Sequence, residues 1–76
     1  MLDSKQEFSD LALVERQIVE SERRVSRQAM LVERKRWAGQ RTKLEEHILK
    51  QFEAARDALH RHRKFILDAI DRSSAK

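Results

Sequence analysis

The chain contains no cysteine, no proline and no tyrosine, and it has a single glycine, Gly39, in 76 residues. Without cysteine there is no disulfide framework and no thiolate chemistry, a composition compatible with a reducing compartment. Without proline, and with one glycine, nothing interrupts a helix except at residue 39. Aromatic residues make up 5% of the chain, and no β-branched alternation marks a strand. The longest uninterrupted apolar runs, such as Leu11-Ala12-Leu13-Val14, are too short for a leader peptide or a membrane span. The expected setting is therefore the cytoplasm. No glycine-rich phosphate loop and no nucleophile motif are present. The expectation is a non-enzymatic protein without cofactor, metal or small-molecule ligand.

What is present is the composition of long helices, with 39% of residues charged. Leu11, Ile18, Val25 and Val32 recur every seven residues, with Val14, Ser21 and Gln28 between them. After Gly39, Ile48, Ala55, His62 and Ala69 recur in the same way, with Phe52, Leu59 and Ile66 between. Folding the chain back about residue 40 pairs positions whose numbers sum to 80, such as Val32 with Ile48 and Val14 with Ile66. This pattern predicts one all-α domain over 1–76, a two-helix antiparallel coiled-coil hairpin. Helix 1 is expected over about 5–38, a turn at 39–42 and helix 2 over about 43–72. Ser4-Lys5-Gln6-Glu7 and Thr42-Lys43-Leu44-Glu45 read as capping boxes. Arg34, Lys35 and Arg36 suit the carbonyl end of helix 1, and Gly39 suits a left-handed stop.

Flanking positions support the same alignment. Glu15 faces Arg63, Glu22 faces Arg56, Asp10 faces Arg72, and Ala38 faces Leu44. Exposed ion pairs of this kind contribute about 0.5 kcal/mol each, so they select register more than they stabilise. Ser21, Gln28 and His62 are polar residues in the seam, where they penalise slipped registers.

Two helices alone leave much surface uncovered, and a second apolar stripe points to what covers it. Phe8, Ala12, Val19, Met30 and Trp37 lie within roughly 40° of one another on helix 1. Leu49, Leu67 and Ile70 extend helix 2 toward the same edge. These eight residues are the expected oligomer interface, with a homodimer forming a four-helix bundle. A different helical protein covering the stripe is the alternative occupant.

His60 and His62 point about 160° apart on a helix and cannot share one metal ion. Glu15 and Glu22 face arginines, so they read as ion-pair partners rather than an acid–base pair.

Charge is unevenly spread. Residues 23–43 carry eight bases and one acid, whereas residues 1–22 carry two bases and six acids. Arg34, Lys35, Arg36, Arg41 and Lys43 surround Trp37 and form the candidate anion-binding set. Such a set can contact phosphates while the indole stacks on a base, the basis of an alternative function in nucleic-acid association.

The stretch Ile18–Thr42, IVESERRVSRQAMLVERKRWAGQRT, resembles a group of short bacterial helical-hairpin proteins with an ERR-x-x-RQ core and a G-x-x-T turn. The resemblance implies Glu22, Arg23, Arg24, Arg27, Gln28, Gly39 and Thr42 as shared elements. It also implies a bacterial cytoplasmic setting. No activity is assigned to that group, so the resemblance carries none to this chain.

Overall fold

A computed structural model describes residues 4–74, the side chain of Ser4 excepted. It consists of two helices, α1 (Ser4–Trp37) and α2 (Lys43–Ser74), packed side by side as a hairpin, and the described residues contain no strand. The rod measures 59 × 15 × 14 Å. Its radius of gyration is 17.3 Å, against about 11 Å for a globular domain of this length.

The turn is built from the backbone. Gly39 takes φ 71°, which lets its N–H donate to the Arg36 carbonyl at 3.0 Å while the Gln40 N–H donates to the Lys35 carbonyl at 2.9 Å. That pair of bonds is a Schellman stop, and it satisfies carbonyls that the end of α1 leaves without intrahelical partners. Thr42 caps α2 from the residue before it, its carbonyl accepting from the Glu46 N–H at 2.8 Å.

Neither capping box forms as written. The Thr42 hydroxyl donates to the Glu46 carboxylate at 3.0 Å, while Glu45 turns away to Lys35. At the other end, Glu7 is buried and neither of its carboxylate oxygens has a hydrogen-bond partner. The Ser4 half of that box lies outside the described side chains.

The core is thin. Among the described residues Val14 (1% exposed), Ile18 and Ile66 form a buried cluster, with Leu11, Leu59 and Ile70 packed against it. On α1 the buried rows are those read from the sequence, joined by Glu7 one heptad before Val14. On α2 the inward face is rotated from the expected one. Ala55 and His62 are exposed, whereas Leu49, Arg56, Arg63 and Ile70 are partly covered. The physical reason is area. Leucine, isoleucine and the aliphatic stems of arginine cover more apolar surface than alanine and histidine can.

Candidate interaction surface

One edge of the hairpin is laced by polar side-chain contacts between the helices. Arg63 Nε donates to Glu15 Oε2 at 3.1 Å, His60 Nε2 lies 3.4 Å from Glu22 Oε1, and Arg36 bonds Glu46. The expected Glu22–Arg56 pair is replaced by Glu22–His60, and Arg56 instead meets its neighbour Asp57 at 3.1 Å. Asp10 takes a hydrogen bond from Gln6, one turn back, rather than meeting Arg72. Lys35 and Glu45, whose numbers again sum to 80, bond at 2.7 Å. The Gln28 amide donates to the Glu45 backbone carbonyl at 2.9 Å.

Along this edge α1 presents Phe8, Ala12, Val19, Met30 and Trp37 to solvent. Met30 is 63% exposed and Trp37 is 88% exposed. Leu49 and Leu67 are half-buried and follow the α2 row that carries Glu46, His60 and Arg63. Ile70 differs from the others, because it packs onto the Val14–Ile18–Ile66 cluster and serves the hairpin's own core. A shallow groove lined by Val19, Glu22, Arg23, Ser26 and Arg27 runs along α1 midway between Phe8 and Trp37.

Leu44 and Phe65 are each 65% exposed, and sequence reasoning did not single them out as surface. A signal for Phe65 was available. Phe65-Ile66-Leu67 is a run of three apolar residues spanning about 200° of a helix, so one of them must leave any single face.

The five candidate anion-binding residues divide at the tip. Lys35 and Arg36 are engaged by Glu45 and Glu46, while Arg34, Arg41 and Lys43 have no carboxylate partner among the described residues. Both carboxyls are held below their ordinary value. For Glu45 the leading cause is the Lys35 hydrogen bond, and for Glu46 it is the Thr42 hydroxyl followed by Arg36. Trp37 and Leu44 are both largely bare at the tip. The tip half, residues 23–57, holds ten bases and five acids.

Among the described residues no three His, Asp or Glu side chains gather where they could hold a metal ion. No described helix is long and apolar enough to cross a membrane. Comparison of the chain with protein-family models, curated proteins and solved structures gave no match.

Proposed function

We propose that this is a non-enzymatic helical-hairpin protein of the bacterial cytoplasm that self-associates, and that it serves as a structural or protein-interaction module. The observation that carries the reading is uncovered surface with an apolar stripe along it. The accessible area is 6369 Å², whereas a globular monomer of 9.1 kDa exposes about 4,900 Å². The excess per chain exceeds the ~800 Å² that each partner buries in a standard interface. Phe8, Val19, Met30 and Trp37 on one face of α1 supply apolar anchors, and methionine and aromatic residues are the types enriched in such contacts.

Trp37 reports on this directly, as the sole tryptophan. Concentrated protein should show a blue-shifted indole emission that moves to the red on dilution, as pairs separate. Water-like emission at every concentration contradicts the reading.

A second reading rests on the unpaired cations Arg34, Arg41 and Lys43 beside the exposed Trp37. Here the tip contacts a nucleic-acid backbone. It predicts retention on a phosphate-bearing resin at low salt, lost on replacing these three residues by glutamine. Unimpeded elution at low salt contradicts it.

A further inference from the structure

The rows that border the α1 stripe are sorted by charge. At about 100° per residue, Arg16, Arg23 and Arg34 lie about 40–60° to one side of the stripe, and Glu15, Glu22 and Glu33 lie about 40–60° to the other. Each arginine directly follows one of the glutamates, so the sequence repeats Glu-Arg at 15–16, 22–23 and 33–34. All six side chains are exposed. Glu15 and Glu22 each have one polar partner on α2 among the described residues, Arg63 and His60. Glu33 and the three arginines have no ion-pair partner among the described residues.

We infer that a second copy of this chain docks on the stripe with its α1 parallel and in register, both tips at the same end. The inference rests on the self-association reading and adds its orientation. When two parallel helices face each other, opposite flanks meet, and charges at flanking positions choose the orientation. Glu15, Glu22 and Glu33 of one copy then stand beside Arg16, Arg23 and Arg34 of the other, one residue apart in height, and the twofold axis doubles every pair. When two helices face each other antiparallel, like flanks meet. Glutamates would then oppose glutamates and arginines would oppose arginines.

A competing term favours the antiparallel choice. It would lay the basic tip half, ten bases against five acids, over the remainder of a second chain, which has seven bases and eight acids. That attraction acts over distances longer than the ~8 Å screening length at physiological salt. Charges in direct contact therefore decide. Val19 and Met30 meet their own counterparts across the axis, and the groove between them is closed by its own copy.

The absence of cysteine makes cross-linking the test. Val19→Cys and Met30→Cys each change a solvent-exposed position, so the hairpin fold is retained, and helicity by circular dichroism verifies it. In the parallel arrangement each variant alone oxidises to a disulfide-linked dimer. Antiparallel packing allows at most one of the two self-links, because residues 19 and 30 are about 16 Å apart along the helix and the crossing point can sit at only one. Cross-linking that requires mixing the two variants overturns the inference.

A second series reads the charge rows by dimer dissociation constant. Glu33→Arg and Arg34→Glu should each weaken association about tenfold, since two attractive contacts become repulsive. The double swap E33R/R34E should return it to within about twofold. No recovery in the double variant contradicts the parallel rows. A dimer by mass that forms neither self-link rejects this orientation and leaves self-association standing. A monomer by mass rejects both.

Discussion

At the residue scale, the burial pattern separates side chains that hold the hairpin from those that face outward. Ile18 sits in the cluster with Val14 and Ile66, so Ile18→Asp places an unpaired charge there. The expected loss is at least about 3 kcal/mol, enough to unfold so thin a core. Leu13 is half exposed on another face, and Leu13→Asp should change stability by no more than about 0.5 kcal/mol. Thermal melts of the two variants check the contrast, and greater sensitivity at Leu13 would show that the seam is misplaced. Glu7 makes the opposite case. Its carboxylate occupies the heptad position before Val14, buried and without a hydrogen-bond partner. Glu7→Leu removes that desolvated acceptor and continues the apolar row, so the melting temperature should rise. A fall would mean that the charge at the amide end of α1 outweighs its burial.

At the scale of the helices, much was legible in the sequence and one face was not. The stop at Gly39, the start after Thr42 and the α1 rows through Val14, Ile18 and Val32 follow from spacing and from the special backbone freedom of glycine. The inward face of α2 did not. Alanine suits core and surface equally, and a histidine in a heptad position looks like a register-fixing polar residue. Arginine reads as solvated, although Arg56 and Arg63 are partly covered, as long aliphatic stems allow. The replacement of Glu22–Arg56 by Glu22–His60 follows from the same rotation.

The turn and the bonds across it give two predictions. Gly39→Ala meets no neighbouring atom within 4 Å, so its cost is the left-handed conformation alone, about 1–2 kcal/mol. The measurement is a denaturant titration, and an unchanged midpoint would show that the Schellman stop is dispensable. Glu45 and Glu46 have folded-state carboxyl values lowered from 4.5 by Lys35, Thr42 and Arg36. A lowered folded value means that the unfolded chain binds protons more readily. The contribution is thus fully present above pH 4.5 and is lost as the pH falls through the lower folded values. Melting temperature should accordingly drop below pH 4.5, and the E45Q/E46Q variant should show a shallower drop than the parent.

At the scale of the whole molecule, the dominant fact is shape. A rod 59 Å long and about one helix pair across has little interior, and it carries apolar side chains on its flank. The sequence showed the α1 stripe from Phe8 to Trp37, because those residues recur on one side of a helix. It did not show that Ile70 serves the internal core or that Leu44 and Phe65 are bare, since those outcomes depend on how α2 is turned against α1. Self-association through the stripe is the central claim, and solution mass tests it most directly. Sedimentation equilibrium over a wide concentration range should give twice the chain mass at high concentration, with reversible dissociation on dilution. A single species of one chain's mass throughout, still melting cooperatively, would contradict the account.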